Sequence, residues 1–184
     1  MRNFQLLMQG LTVEPLLNAV MRQPVLWNQN TLRTKHELTP HKAVDDIWLR
    51  FNDLPDEVEK IIDEHESMNY PAMLSLPQVR PLVFGLMAQL DGERLGRVLI
   101  TRLAPGEKID PHVDGGSHAA YYDRYHIVLQ SAPGCVFRCG EETVHMRTGD
   151  CWWFNNSVEH EVVNNSAIDR VHLIIDIKCM GVAC

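Results

Sequence analysis

The segment Pro111-His-Val-Asp114 lies at the centre of residues 97–178, the stretch whose short apolar runs and turns decide the fold. Residues two apart in an extended strand project from the same face, so His112 and Asp114 are expected to converge on one point. His160, in a later segment, is the third expected partner. Two histidines and one carboxylate on one side of a metal form the ligand set of non-haem Fe(II) oxygenases. We therefore predict a metal site at His112, Asp114 and His160.

A period of two in hydrophobicity surrounds this segment and indicates β-strands. The runs are separated by turn-forming residues such as Pro133-Gly134, Gly140 and Asn164-Asn165. Strands are predicted at residues 98–103, 124–130, 136–139, 143–146, 151–154, 160–163 and 170–177. Short strands at this spacing predict a sandwich or jelly roll, with the earlier helices packed on one sheet.

The first half of the chain has a different pattern. A short helix is predicted over 12–22, with Thr12 as its N-cap and Pro15 in its first turn. Apolar residues at three- and four-residue steps predict two further helices, over 56–66 and 77–90.

Residues 25–54 have weak periodicity and are predicted as short strands or loops. At 184 residues the chain is expected to be a single domain, 1–184, with a helical and irregular part over 1–95 and a jelly-roll core over 96–178. The predicted class is therefore mainly β with flanking helices (α+β).

The composition restricts the possible partners. A net charge of −7 disfavours binding to duplex nucleic acid, which requires clustered Lys and Arg. We see no signal peptide and no apolar run of membrane-spanning length, and we expect a cytoplasmic protein. The five cysteines fit reduced thiols. A zinc site at Cys135, Cys139 and His145 is a weaker alternative, because its spacing matches no common zinc signature.

Two arginines are expected near the metal. Arg124 and His126 share one face of a predicted strand, and Arg170 begins another strand whose residues 171, 173, 175 and 177 form the opposite, apolar face. A buried guanidinium needs an anion, and its fork matches a carboxylate. A salt bridge to Asp123, Asp169 or Asp176 would serve, but we favour a carboxylate cosubstrate for Arg124 and Arg170.

A set of short motifs covers roughly the C-terminal 40% of the chain. The motifs are Leu103-x-Pro-Gly106, Pro111-His112, Arg124-x-His126, Gly134-Cys-Val-Phe-Arg-Cys139, Gly149-x-x-x-x-Phe154, Glu159-His-Glu-Val162 and Arg170-x-x-Leu-Ile-x-Asp176. Their order and spacing resemble those of the aspartyl/asparaginyl β-hydroxylases, a family of Fe(II)/2-oxoglutarate-dependent oxygenases.

The resemblance implies a double-stranded β-helix (a cupin-like jelly roll) that uses Fe(II), 2-oxoglutarate and O2. It implies iron at His112 and His160, and 2-oxoglutarate held by Arg170 with Arg124 and His126. Thr101 stands where family members can place a small hydroxyl near the cosubstrate. The well-known animal members have glycine two positions after the first histidine, whereas this chain has Asp114. A complete triad of ligands is therefore expected here.

The expected reaction is hydroxylation of an amino acid, free or peptidyl, with conversion of 2-oxoglutarate to succinate. Alternatives are the same chemistry on a nucleobase or small metabolite, a non-catalytic cupin-like metal-binding module, and, on the ligands alone, a zinc hydrolase. The sequence does not fix the oligomeric state. Candidate substrate contacts are the polar and aromatic residues of the irregular segment, namely Trp27, Asn28, Arg33, Trp48 and Arg50.

Overall fold

The computed structural model describes residues 1–35, 37, 39–53 and 63–180. Eleven strands lie in these residues: β1 Phe4–Met8, β2 Val44–Phe51, β3 Met68–Asn69, β4 Gly92–Leu103, β5 Lys108–His112, β6 Asp123–Gln130, β7 Cys135–Cys139, β8 Glu142–Val144, β9 Cys151–Phe154, β10 His160–Asn164 and β11 Arg170–Cys179. Four α-helices accompany them: α1 Glu14–Met21, α2 Pro71–Ser75, α3 Val79–Gln89 and α4 Gly116–Tyr121, with a 3-10 turn at Pro24–Leu26.

The strands form two antiparallel sheets. The large sheet has the order β1-β9-β6-β11-β4-β2-β3, and the small sheet has the order β5-β10-β7-β8. Strands distant in the sequence are neighbours, as β11 lies between β4 and β6. This arrangement is the predicted jelly roll, and the mainly β class is confirmed.

Successive side chains of the central strand β11 point to opposite faces of the large sheet and so contribute to two separate cores. Leu173 and Ile175 point to the face that the helices cover, and they join a buried cluster that includes Leu16 of α1 and Val83 of α3. The earlier helices therefore pack on one face of the large sheet, as predicted. A second cluster, with Phe137 on β7 among its members, lies between the two sheets. The even-numbered side chains of β11 face that inner space, where the polar residues of the site lie.

Several predicted elements are found with shifted ends. The helix over 12–22 begins at Glu14, and its N-cap is Val13 without a side-chain cap, so the prediction of Thr12 as N-cap is wrong. The helix over 77–90 is α3, Val79–Gln89. The helix predicted over 56–66 lies mostly outside the described residues.

Three elements near the site were not predicted from the pattern. Strand β1 pairs with β9 at the edge of the large sheet. Strand β5 carries Pro111 and alternating charged residues, which obscure the strand pattern. Helix α4 begins at Gly116, the second of two adjacent glycines that break the helical periodicity. These elements take their conformation from the pairing of β5 with β10 and from packing on β6, which local propensity does not encode.

Candidate metal centre and cosubstrate cleft

The two histidines of the predicted metal site lie opposite each other on neighbouring strands. His112 ends β5, His160 begins β10, and the two residues are paired in the antiparallel register. Their ring centroids are 4.3 Å apart. Ligand atoms of His112, Asp114 and His160 all lie within 4.8 Å of one another. In the described residues this is the one group of three or more His, Cys, Asp or Glu side chains that meets this criterion.

Each histidine is oriented by a backbone carbonyl. His112 Nδ1 lies 2.7 Å from the Asp110 carbonyl oxygen, and His160 Nδ1 lies 2.9 Å from that of Val158. A carbonyl only accepts, so Nδ1 carries the proton and Nε2 presents its lone pair. Burial lowers the pKa of His160 to about 4, which favours the neutral ring. Neutral imidazoles with a fixed Nδ1 partner are the form that binds metals.

Asp114 completes the trio from a loop and not from the strand. Strand β5 ends at His112, so the expectation that both residues belong to one extended strand is wrong for Asp114. The backbone N–H of Asp114 donates to the Asn156 carbonyl at 3.1 Å. Its Oδ1 lies 3.7 Å from His112 Nε2 and 4.0 Å from His160 Nε2. The loop thus brings one carboxylate oxygen to the point where the two imidazoles converge.

Arg124 lies behind Asp114. Its Nη1 donates to Asp114 Oδ2 at 2.6 Å, while its Nε and Nη2 donate to Asp176 Oδ1 and Oδ2 at 2.8 and 3.0 Å. His118 Nε2 also lies 3.0 Å from Asp176 Oδ2. Both edges of the guanidinium are therefore occupied by carboxylates of the chain. The salt bridge to Asp176, considered above as the alternative to cosubstrate binding, is present.

Arg170 has the opposite environment. It is only 4% exposed, and no carboxylate lies within ion-pair distance of it in the described residues. Its Nη2 lies 3.1 Å from His172 Nδ1, and its guanidinium carbon lies 5.8 Å from the centre of the Phe137 ring. Burial lowers the pKa of Arg170 to about 10. A buried cation without an anion is costly unless a ligand supplies one.

Hydrogen bonds link Arg170 to His172 and His172 to His126, and they determine which ring nitrogens carry protons. Arg170 can only donate, so His172 Nδ1 is an acceptor, and His126 Nδ1, 3.2 Å away, must donate to it. Burial lowers the pKa of both histidines well below the usual value, so both rings are neutral. His126 Nε2 is then a buried acceptor and His172 Nε2 a buried donor, and neither has a partner among the described residues. His172 was missed by the sequence analysis, although its two-residue spacing from Arg170 places it on the same strand face.

The trio and Arg170 open into one cleft. The predicted site residues Thr101, Arg124 and His126 also line this cleft. Thr101 lies on β4 opposite His172 and is 4% exposed. All seven residues predicted to bind metal or cosubstrate are thus brought together.

Of the five candidate substrate contacts, Arg33 alone lines this cleft. Trp27 lies under the Arg102 guanidinium, and Asn28 bonds to Asp45. Trp48 is buried and stacks on Phe51, while Arg50 bonds to Asn69 and to the Leu95 carbonyl. The structure gives these four residues packing and hydrogen-bonding roles within the fold, away from the cleft.

His41 is a wall residue that the sequence analysis missed. It lines the cleft, and its ring meets that of His112 edge-on with centroids 5.0 Å apart. Burial, with a smaller contribution from Arg33, lowers the pKa of His41 to about 2, so the ring is neutral. Its segment carries no periodic pattern that would have distinguished it from the other histidines.

The weaker zinc alternative does not form. Cys135 Sγ donates to Asn164 Oδ1, and Cys139 Sγ lies 3.4 Å from the Asn155 carbonyl oxygen. His145 Nδ1 contacts the backbone oxygen of Cys135 instead of its thiol. The four described cysteines are free and buried, as the prediction of reduced thiols requires.

A family model described as aspartyl/asparaginyl β-hydroxylase matches residues 21–179 of the chain. The chain belongs to this family. The match includes both the jelly roll and the helical part before it, so the family assignment extends well beyond the motifs of the C-terminal segment.

Two characterised relatives share part of this sequence. The L-proline cis-4-hydroxylase of Rhizobium meliloti (strain 1021) is 27% identical over 122 residues, which are 65% of this chain and 42% of that protein. L-proline cis-3-hydroxylase 1 of Streptomyces sp is 28% identical over 94 residues, which are 50% of this chain and 32% of that protein. The chain therefore spans less than half the length of either relative.

The fold has a counterpart in the crystal structure of SnoN, a non-haem α-ketoglutarate-dependent epimerase from nogalamycin biosynthesis. The TM-score is 0.62 at 15% identity, covering 97% of this chain and 77% of that one. This likeness confirms the double-stranded β-helix. No helix in the described part of the chain is long and apolar enough to cross a membrane.

Proposed function

We propose that the chain is an Fe(II)/2-oxoglutarate-dependent oxygenase that hydroxylates an amino acid. One observation carries the proposal: a His-Asp-His trio shares a cleft with a buried arginine, Arg170, that has no carboxylate partner among the described residues. The relatives that hydroxylate L-proline support the substrate class.

The trio fits Fe(II) by the chemistry of its donors. His112 and His160 present Nε2 lone pairs, since their Nδ1 protons are bonded to backbone carbonyls. Asp114 presents Oδ1, since Oδ2 accepts from Arg124. Two imidazoles and one carboxylate from one side leave the other side of the metal for cosubstrate and O2. When bound, Fe(II) would supply activation of O2, one atom of which enters succinate as 2-oxoglutarate loses CO2 while the other enters a substrate C–H bond.

Arg170 would hold the distal carboxylate of 2-oxoglutarate. Its Nη2 is fixed by His172, so the fork is oriented before the ligand arrives. His126 holds His172 in turn, and Thr101 on the facing strand adds a hydroxyl to the same wall. The ring of Phe137 covers the guanidinium and excludes water. Burial strengthens the charge pair that 2-oxoglutarate would complete.

Arg124 receives a different role from the one expected from the sequence. We propose that it positions Asp114, because its fork is bonded to Asp176 on one side and to the metal ligand on the other. Asp176 is 1% exposed and is also bonded to His118 of α4. The chain His118–Asp176–Arg124–Asp114 thus fixes a ligand that stands on a loop.

A non-catalytic module on the same fold is less well supported. Such a module has no need of a buried, unpaired arginine beside an open metal face, because that arginine destabilises the protein without its anion.

The proposal is tested by incubating the protein with Fe(II), 2-oxoglutarate, O2 and each of the proteinogenic L-amino acids. We expect succinate to accumulate and one amino acid, with L-proline the first candidate, to gain one oxygen atom by mass spectrometry. Succinate formed while no amino acid gains an oxygen atom would mean that 2-oxoglutarate is consumed without hydroxylation, which contradicts the proposed reaction. If no added amino acid stimulates succinate formation, the substrate class is wrong.

A further inference from the structure

A second cleft adjoins the metal trio at Asp114. It shares Arg33, His41, Asp114 and Arg124 with the cosubstrate cleft. Its other walls come from Thr39 and Pro40, from Gly115 and Ala119 near the metal loop, and from Arg97 on β4. Arg170 lines the first cleft and Arg97 the second, whereas Asp114 borders both. Each cleft thus has one arginine that the other lacks, and both clefts adjoin Asp114.

Two of the three arginines in the second cleft are neutralised. Arg33 Nη1 lies 2.6 Å from Oδ2 of the buried Asp46. Arg124 is bonded to Asp114 and Asp176, as described above. These carboxylates are thus engaged with arginines other than Arg97.

Arg97 has only neutral partners among the described residues. Its Nε donates to Asn52 Oδ1 at 2.7 Å, and its guanidinium carbon lies 4.3 Å from the centre of the Phe51 ring. No carboxylate of the described residues lies within ion-pair distance of it. Burial lowers the pKa of Arg97 to about 10, although the more distant charges of Asp176 and Asp114 act in the opposite direction. Because residues 97 and 101 are four apart on one strand, Arg97 faces the same inner side as Thr101.

We infer that Arg97 binds the carboxylate of the substrate, and that the substrate is therefore a small acid with a free carboxylate, as in a free α-amino acid. This inference rests on the proposed oxygenase function. Asn52 and Phe51 fix the guanidinium through Nε and through its face, so both Nη atoms remain to grip a carboxylate. The substrate then lies in the second cleft, beside the metal ligand Asp114. A residue inside a peptide chain has no free α-carboxylate, so an Arg97 that binds this group selects the free amino acid.

The test uses the protein loaded anaerobically with Fe(II) and 2-oxoglutarate. An equimolar mixture of the proteinogenic L-amino acids is titrated in, and then the matched mixture of their primary amides. The readout is the change in the visible charge-transfer band of the loaded protein, which reports occupation of the cleft without turnover. Arg97→Gln is compared with Arg102→Gln. Arg102 lies on the opposite face of β4, is bonded to Asp45 and lines neither cleft.

We expect the acids to perturb the band in the wild type and in Arg102→Gln. The amides, and the acids with Arg97→Gln, should need at least about 10-fold higher concentration, the effect of losing a charge-assisted pair. Equal response to acids and amides would overturn the inference even if Arg97→Gln failed to fold. So would an unchanged Arg97→Gln, or a loaded protein whose band the acids leave unaltered. If no band forms at all, the proposed function is contradicted, and so is the inference, because it rests on that function.

Discussion

Arg124 Nη1 lies 2.6 Å from Asp114 Oδ2, so an arginine expected to bind cosubstrate is bonded to a residue expected to bind metal. The remaining edge of Arg124 is bonded to Asp176. Arg124 and Arg170, the two arginines expected to bind the cosubstrate, are therefore not equivalent. One is saturated with carboxylates, and the other, Arg170, has none among the described residues.

Substitution of Arg124 by lysine should separate these roles. Lysine keeps the charge but cannot bridge Asp114 and Asp176 at once, so Asp114 loses its orientation. We expect Fe(II) affinity to fall by roughly 10- to 100-fold, as on loss of other outer partners of metal ligands. Anaerobic Fe(II) titration measures this, and the half-saturating concentration of 2-oxoglutarate at saturating metal should stay near the wild-type value.

Arg170→Lys is the matched comparison for that variant. It should leave Fe(II) affinity unchanged and raise the half-saturating 2-oxoglutarate concentration about 10-fold or more, because the bidentate pair is lost. If instead Arg124→Lys raises the requirement for 2-oxoglutarate at unchanged metal affinity, Arg124 binds the cosubstrate after all.

Arg170→Met should stabilise the ligand-free protein. The substitution removes a buried, unpaired charge and keeps much of the side-chain volume, so the free energy of unfolding should rise by about 1–4 kcal/mol. Urea denaturation without metal or cosubstrate measures it. A lower free energy of unfolding would show that Arg170 has a stabilising partner in the free protein.

Asp176→Asn should change how stability depends on pH. Burial alone would raise the pKa of Asp176, but the charge and hydrogen bonds of Arg124, with the bond from His118, hold it well below the usual value. A lowered pKa means that this stabilisation is complete at neutral pH and is lost progressively as the pH falls below about 4, the usual value for aspartate. We expect the wild type to exceed the variant by about 3–5 kcal/mol at pH 7.

The measurement for Asp176→Asn is a series of denaturant midpoints from pH 7 to pH 3. The difference between wild type and variant should shrink at the acidic end. A difference that stays constant across the series would show that Asp176 does not titrate as described.

His112→Ala and His160→Ala should each abolish turnover and weaken Fe(II) binding by more than the roughly 10- to 100-fold cost of losing an outer partner. The thermal unfolding temperature of the metal-free protein should change little, because both side chains stand at strand ends around the cleft. His145→Ala is the control, since His145 contacts a backbone oxygen away from the trio. Wild-type turnover in either variant would refute the ligand assignment.

The jelly roll and the positions of the site residues were predictable because strand alternation fixes which side chains share a face. On β11, for example, Arg170 points to the site, whereas Leu173 and Ile175 point to the opposite, apolar face. Likewise, Arg124 and His126 both reach the cleft, as their two-residue spacing required. The motifs indicated that His112 and His160 would serve one site, and the structure pairs them across β5 and β10.

Partnerships across the sheets were not predictable from one sequence. Asp176 was among three aspartates considered for Arg124, and only the register of β6 with β11, which places Arg124 opposite Asp176, selects it. Similarly, nothing in the irregular segment indicated that His41 would stand against His112. Long-range pairing sets these contacts, and local propensity does not determine it.

The most direct test of the oxygenase account is anaerobic titration of the metal-free protein with Fe(II) and then with 2-oxoglutarate. We predict a weak visible charge-transfer band that appears only with both present, is lost in His160→Ala, and requires much more 2-oxoglutarate in Arg170→Lys. If Fe(II) binds but no band forms with 2-oxoglutarate, or if no metal binds at all, the account is contradicted.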